Sequence, residues 1–222
     1  MQGEIKVRMR KKAWTAAELA ENKNLIADYS IFKGNWENHF GNKNPLHCEI
    51  GCGKGRFIVE TARQNPGVNH IAIERYPQVL AMALKLSRTE ARSQNLAFLS
   101  ADADEFPDIF DKHDLKRVYL NFSDPWPNRK KWAKRRLTYR KYLSLYKDAL
   151  TPDGEIFFKT DNLELFEFSI EEFGLCGWKL SNVTYDLHKS GFMGNILTEY
   201  EVRFSEMGQP IYRLEAKLPE SE

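Results

Sequence analysis

The chain has 222 residues, of which 42% are hydrophobic and 13% aromatic, so it can bury a full core and most simply forms one domain. It contains no apolar run long enough to span a bilayer, and its basic start is followed by the polar stretch 15–24 rather than by a signal-peptide core. The three cysteines (Cys48, Cys52 and Cys176) include no Cys-x-x-Cys pair, so we expect reduced thiols and neither a disulfide framework nor a metal site. These features predict a cytoplasmic protein without a membrane anchor.

The net charge of +2 conceals two cationic segments. Residues 129–141 contain eight Lys or Arg and no acid, and residues 1–12 carry a net +4; removing these +8 and +4 leaves −10 on the rest of the chain. Cationic segments on an acidic body are typical of one directed phosphate-binding face. The alternative is a solvated helix face together with a basic terminal tail.

Strands and helices alternate along the first three quarters of the chain. In chain order, the patterns predict strand 46–50, helix 56–63, strand 70–73, helix 78–91, strand 96–99, strand 117–122, a basic helix ending at 150, strand 155–159 and helix 163–173. This alternation is typical of a parallel sheet covered on both faces. The last quarter instead predicts strands 179–187, 199–204 and 211–218 without intervening helices, so the sheet should end in antiparallel pairing.

A glycine loop, residues 49–55, joins the first predicted strand to the first helix. A dinucleotide-binding fingerprint would need Gly or Ala where this chain has Arg56. A phosphate-binding P-loop would need Ser or Thr after Lys54, where the chain has Gly55. What remains is a Gly-x-Gly-x-Gly loop preceded by an acid, which lets a ligand approach the backbone closely.

Four acids follow four successive strands of the predicted sheet: Glu49, Glu74, Asp102 and Asp124. The carboxyl ends of parallel strands share one edge, and an acid after the second strand is typical of a residue that binds both hydroxyls of a ribose. Helix capping would explain any one of these acids, but it explains all four poorly. Such an acidic rim suits a ligand with an amino group, a ribose and a sulfonium, which describes S-adenosylmethionine.

The segment 120–128 reads Leu-Asn-Phe-Ser-Asp-Pro-Trp-Pro-Asn and precedes the basic stretch. Pro125 and Pro127 fix their own φ and restrict the residues before them, Asp124 and Trp126. A stiff loop at a strand end is typical of a site, here a catalytic acid beside a nucleic-acid contact. The alternative is a turn capped by Asp124, with Trp126 filling the core rather than stacking on a base.

With these motifs in place, the chain resembles the bacterial tRNA (guanine-N7)-methyltransferases over nearly its whole length. The matching stretches are 49–55, 72–74, 117–127, 135–138, 158–162 and 198–201. The stretches around Asp124 and Thr198 are specific to that family, whereas many methyltransferases share the glycine loop. The resemblance implies an α/β, Rossmann-like class I methyltransferase fold with a mostly parallel seven-stranded sheet and an antiparallel C-terminal portion. It also implies one domain, 1–222, with a basic extension over about residues 1–14.

The same resemblance implies the donor, the acceptor and the residues that hold them. S-adenosylmethionine would donate a methyl group to N7 of the guanine at position 46 of the tRNA variable loop, with Asp124 as the catalytic residue. The cofactor site would comprise Glu49, Gly51, Gly53, Glu74, Asp102 and Asp124. The substrate would be held by Asp161, Thr198, Glu199, Tyr200 and Glu201, and by Asn128 at a place where many members carry Lys. RNA would contact Lys130, Lys131, Lys134, Arg135 and Arg136.

The chemistry agrees with these residues, because guanine N7 already carries an in-plane lone pair and needs no general base. Positioning should dominate catalysis, and Asp124 or Asp161 could stabilise the positive charge that develops on the purine. A carboxylate at Glu201 could accept hydrogen bonds from guanine N1–H and the exocyclic amine together. The alternatives are an N-cap role for Asp161 and an edge-strand position for Glu201.

Two other functions fit parts of the pattern. A methyltransferase of a protein or small molecule would keep the glycine loop but would not need the cationic segments. A non-catalytic RNA-binding protein would need those segments but not the acidic rim, which is intact here. Either a monomer or a homodimer is compatible with the sequence.

Overall fold

The computed structural model describes residues 13–90, 94–127, 129–206 and 208–218. The strands in this part are β1 (Leu25–Ile26), β2 (Leu46–Ile50), β3 (Asn69–Ile73), β4 (Leu96–Leu99), β5 (Leu115–Asn121), β6 (Leu150–Thr160), β7 (Lys179–Thr184) and β8 (Tyr212–Lys217). The helices are α1 (Ala13–Glu21), α2 (Trp36–Phe40), α3 (Arg56–Gln64), α4 (Pro77–Glu90), α5 (Phe106–Ile109), α6 (Lys130–Ala133), α7 (Arg140–Ala149), α8 (Leu163–Leu175) and α9 (Glu199–Glu206). Short 3₁₀ helices occupy Ser30–Phe32 and Ala103–Glu105.

One sheet runs through the described chain in the order β1-β4-β3-β2-β5-β6-β8-β7. All pairs from β1 to β6 are parallel, whereas β8 pairs antiparallel with both β6 and β7. The predicted α/β class and antiparallel end are therefore confirmed. In the residues that the structure describes, the sheet has eight strands rather than the seven that the resemblance implied. The two-residue β1 at its edge is too short to produce a periodic signal.

The stretch 199–204, predicted as a strand, is instead the beginning of helix α9. Thr198 caps this helix, because its Oγ1 accepts a hydrogen bond from the backbone N of Glu201 at 3.0 Å. Thr-x-x-Glu is a known signature of a helix start, and its capping pattern outweighed the apparent alternation of polar residues. Strand β8 therefore pairs directly with β7.

The basic stretch after residue 128 also differs from the single helix predicted there. It forms the short helix α6 and then α7, for which Tyr139 is the N-cap. Strand β6 begins at Leu150, before the predicted strand 155–159, and continues through Pro152. The register shift opposite this start, between Leu115 and Arg117, accommodates the irregular entry.

Two apolar clusters pack on opposite faces of the sheet. One includes Cys48 and Val118 and packs the sheet against α5, α7 and α8. The other includes Phe57 and Leu80 and packs the opposite face against α3 and α4. The helices cover the faces and leave the carboxyl ends of β2 to β5 open at one edge, where a ligand can enter. None of the helices described is both long and apolar enough to cross a membrane.

Candidate active site

A cavity of about 700 Å³ opens at the carboxyl ends of the parallel strands. Its wall brings together all the predicted cofactor residues: Glu49, Gly51, Gly53, Glu74, Asp102 and Asp124. The opposite wall includes Thr198, Glu199 and Tyr200 from the start of α9. The cavity therefore joins segments that are about 150 residues apart in the sequence: the carboxyl ends of parallel strands, which share one edge, and the start of α9.

The glycine loop is fixed to the neighbouring strand by its own backbone. The N–H groups of Gly51 and Cys52 both donate to the carbonyl of Ile73, at 2.8 and 3.0 Å. Gly51 and Gly53 have φ values of +79° and +59°, in the left-handed region that favours glycine. These turns carry the chain around the end of β2, and at Gly51 and Gly53 the loop has no side chain beside the cavity.

Glu49 is a buried acid in the cavity wall. Its Oε1 accepts a hydrogen bond from Asn121 Nδ2 at 2.8 Å, whereas its Oε2 has no partner among the described residues. Burial raises the pKa of Glu49 to about 8, and the hydrogen bond from Asn121 opposes this shift. A cationic donor in the cavity would satisfy the second oxygen and favour the charged carboxylate.

Glu74 is held rigidly at the end of β3. Its Oε2 accepts from the backbone N of Gly53 at 3.1 Å, and its Oε1 accepts from the backbone N of Tyr76 at 2.9 Å. Burial raises the pKa of Glu74, and these two backbone hydrogen bonds oppose the increase. The carboxylate is thus oriented by the main chain before any ligand binds.

Asp102 and Asp124 are linked by Arg75, a residue to which the sequence assigned no role. The guanidinium lies 3.6 Å from an oxygen of Asp102 and 3.4 Å from an oxygen of Asp124. Asp102 also caps a 3₁₀ helix through the backbone N of Asp104, so its capping and cavity positions coexist. The side chain of Asp124 is 66% exposed and lies in the cavity wall.

Buried Arg136 holds residues 122–127, here called the Asp124 loop, by hydrogen bonds to their backbone. This guanidinium donates to the carbonyls of Pro125, at 2.8 Å, and Trp126, at 2.7 Å, and to Glu164 at 2.8 Å. Arg136 is only 1% exposed. This geometry does not support the predicted contact between Arg136 and RNA, because its donors bond inside the protein and the side chain is buried.

Trp126 stacks on Trp132 with a centroid separation of 5.3 Å and an interplanar angle of 8°. The guanidinium carbon of Arg135 lies 4.9 Å from both ring centroids, and Arg135 also contributes to the cavity wall. Both rings are half-buried, so Trp126 is not a core residue. The exposed edge of the cavity thus combines aromatic faces with a cation.

The remaining predicted RNA contacts divide by what the structure describes. Lys131 and Lys134 are exposed beside the stacked rings. Asn128 lies outside the described residues, as do the side chain of Lys130 and most of the basic extension, 1–12. Among the predicted contacts whose side chains the structure describes, Lys131, Lys134 and Arg135 place positive charge at this edge.

Two predicted guanine-binding acids lie outside the cavity wall. Glu201 is completely buried, with Lys159 donating to its Oε2 at 2.9 Å and Asn195 donating to its Oε1. This geometry does not support a direct contact between Glu201 and guanine, because both oxygens are already bonded inside the protein. Asp161 does not cap α8, because the side chain of Asn162 accepts from the helix instead.

The described residues contain no group of three or more His, Cys, Asp or Glu side chains placed to hold a metal ion. The site consists of carboxylates, backbone N–H groups, aromatic rings and cations. Such a site can bind and orient ligands and stabilise charge.

Solved structures and sequence relatives agree on what this fold and site define. The chain aligns with an antibiotic-related methyltransferase at a TM-score of 0.60 and 18% identity, covering 82% of this chain and 92% of that one. It aligns with the 16S rRNA methyltransferase KamB at a TM-score of 0.62 and 16% identity, covering 84% and 94%. The fold is that of the class I methyltransferases.

Closer similarity appears in the sequence comparisons. A family model described as a putative methyltransferase matches residues 43–214. The tRNA (guanine-N(7)-)-methyltransferase of Bacillus subtilis is 47% identical over 212 residues, covering 95% of this chain and 99% of that protein. The enzyme of the same name from Lachnoclostridium phytofermentans is 48% identical, covering 95% and 98%. The chain belongs to the tRNA (guanine-N7)-methyltransferase family, which confirms the resemblance seen in its sequence.

Proposed function

We propose that this protein transfers a methyl group from S-adenosylmethionine to N7 of a guanine in tRNA, in the cytoplasm. The observation that carries the proposal is the cavity itself, which has acids and a glycine loop on one side and stacked rings with cations at its open edge. The names and high identity of the relatives support the same reaction. The resemblance of the motifs points to position 46 of the variable loop as the target.

The residues on the glycine-loop side fit the cofactor. The unpaired Oε2 of Glu49 suits the cationic amino group, and the fixed carboxylate of Glu74 suits the two ribose hydroxyls. Asp102 extends the acidic rim beyond Glu74. When bound, S-adenosylmethionine supplies a methyl group activated by its sulfonium.

The Asp124 loop and the start of α9 would hold the guanine between them. Its N7 lone pair needs no base, so the work of the protein is to orient the ring and to exclude competing geometries. The transfer leaves a positive charge on the purine, and the exposed carboxylate of Asp124 is placed to stabilise that charge as it develops. Thr198, Glu199 and Tyr200 form the facing wall.

RNA would reach this cavity across its cationic edge. Lys131, Lys134 and Arg135 suit phosphate contacts, and Trp126 with Trp132 suits an unstacked base. Asn128 and Lys130 remain proposed contacts of the same segment. A base that leaves its stack would present N7 in the cavity, and the aromatic faces beside the cations suit such a base.

The proposal is tested by incubating the protein with labelled S-adenosylmethionine and unmodified tRNA, followed by chain cleavage at N7-methylguanine, which is chemically labile. We expect one cleavage site, in the variable loop, and none after that guanine is replaced by adenine. The Asp124→Asn variant should bind cofactor but transfer the methyl group at least about a hundredfold more slowly. If the wild-type protein transferred no label to the tRNA, the proposed function would be refuted.

A further inference from the structure

Lys159, on strand β6, is a buried cation outside the cavity wall. Its side chain is 6% exposed, and its Nζ lies 5.2 Å from the ring centroid of Phe57. The ammonium donates to Glu201 Oε2 at 2.9 Å, to Asn195 Oδ1 at 3.0 Å and to the carbonyl of Ile196 at 3.0 Å. An ammonium has three donors, so all of them are used within the protein.

All three acceptors lie in one short segment, residues 195–201, which leads into α9. Glu201 is held twice, through its side chain by Lys159 and through its backbone N by Thr198. The wall residues, 198–200, lie in the chain between Ile196 and Glu201, and Lys159 bonds to both of these. Lys159 therefore fixes the wall to the centre of the sheet without touching what the cavity contains.

The backbone of Lys159 reaches the opposite side of the cavity. Its carbonyl accepts from the backbone N of Phe122 at 2.8 Å, at the base of the Asp124 loop. The ring of Phe122 in turn stacks on the ring of Tyr200, with centroids 6.2 Å apart and planes 14° from parallel. One residue thus bonds to both walls, and the two rings close the connection between them.

The start of α9 also reaches the cofactor side. Glu199 Oε1 accepts from the backbone N of Arg56 at 3.2 Å, at the first residue of α3. This contact is a single exposed hydrogen bond, whereas the Lys159 ammonium makes three, one of them to the fully buried Glu201. The position of α9 should therefore depend on Lys159 far more than on Glu199.

We propose that Lys159 is a positioning residue for methyl transfer, which sets the distance between the wall at 198–200 and the loop that carries Asp124. The inference rests on the proposed function, because it concerns the same reaction. Reacting groups lose rate steeply when displaced, by about a hundredfold for a shift of about 1 Å. Loss of the Lys159 ammonium should consequently slow transfer while leaving the cofactor side of the cavity in place.

The test uses the double variant Lys159→Met with Glu201→Gln, because Lys159→Met alone would leave the buried Glu201 carboxylate unpaired and could prevent folding. Binding of S-adenosylhomocysteine by calorimetry gives both its Kd and the number of sites that are folded and competent. Transfer to unmodified tRNA is then measured per competent site, with kcat separated from KM. Lys116→Met is the matched control, since Lys116 lies on the neighbouring strand β5 and pairs with Asp153 instead.

We expect the double variant to keep its Kd for S-adenosylhomocysteine within about threefold and its KM for tRNA nearly unchanged, while kcat falls at least about tenfold. The Lys116→Met control should match the wild type. A double variant with wild-type kcat per competent site would overturn the proposal, because Lys159 would then serve only to neutralise Glu201. Loss of S-adenosylhomocysteine binding in a folded double variant would also overturn it, by showing a general structural role. If the proposed function were wrong, the wild-type protein itself would show no methyl transfer. Both comparisons are made against an active wild type, so they test the role of Lys159 separately.

Discussion

Glu49 shows how a single buried group links binding to pH. Its folded pKa of about 8 means that the empty protein holds a proton there at neutral pH, whereas a cationic amino group requires the carboxylate. Binding below pH 8 should therefore release a proton, so the affinity for S-adenosylhomocysteine should rise with pH by at most about tenfold per unit and then level off. Calorimetry in two buffers of different ionisation enthalpy measures the released proton. The Glu49→Gln variant should lose this dependence, and a wild type with pH-independent affinity would contradict the assignment.

The adjacent residues Arg135 and Arg136 should respond in opposite ways to the same substitution. Arg135 is exposed over two indole rings, so Arg135→Gln should flatten the log–log salt dependence of tRNA binding by roughly 0.7 to 0.9 without changing stability. Arg136 holds two loop carbonyls in the interior, so Arg136→Gln should lower the free energy of unfolding by about 2 to 3 kcal/mol. Binding at several salt concentrations and denaturant unfolding measure the two effects. The reverse pattern would show that Arg135 supports the Asp124 loop and that Arg136 contributes to tRNA binding.

At the scale of secondary-structure elements, the contact between α3 and α4 depends on one glycine. Gly55 has φ +88°, and a Cβ added there would lie 2.8 Å from the Cβ of Ala83 on α4. We expect Gly55→Ala to lower the free energy of unfolding by about 1 to 3 kcal/mol more than Gly41→Ala, because only the former forces two helices apart. Gly41 is a matched control, with φ +68° and nothing within 4 Å of an added Cβ. Equal losses in denaturant unfolding would mean that backbone strain alone accounts for the cost.

On the scale of the whole molecule, the two apolar clusters share one sheet, and the cavity wall draws on residues from Glu49 to Tyr200. We therefore predict one cooperative unfolding transition, with circular dichroism and tryptophan fluorescence giving coincident curves. S-adenosylhomocysteine at about a hundredfold excess over its Kd should add about 2.7 kcal/mol to the free energy of unfolding and keep the transition single. Two separate transitions would show that the chain does not fold as one domain.

The convergence of the four acids on one cavity could be predicted from the sequence for a definite physical reason. Parallel strands place their carboxyl ends at one edge, so the acids after successive strands had to converge, and Glu49, Glu74, Asp102 and Asp124 do line one cavity. The glycine loop could also be predicted, because its positive φ values favour glycine and the glycines are visible in the sequence. The helix at 199–206 was locally encoded as well, by the Thr-x-x-Glu pattern, although alternation suggested a strand.

Only the tertiary structure decided which charged side chains face solvent and which bond to other groups inside the protein. Neighbouring arginines in one basic run look alike in the sequence, yet Arg136 is buried and Arg135 is exposed, because the Asp124 loop offers carbonyls to just one of them. The carboxylate of Glu201 has the acceptors that guanine's donors need, but in the structure it accepts a hydrogen bond from Lys159, 42 residues earlier in the chain. Burial of a charge requires a partner, and a partner that distant leaves no local pattern. The sequence by itself therefore determined the class of the fold, the edge at which the cavity forms and the family, whereas long-range packing decided which charged side chains are exposed and which are buried.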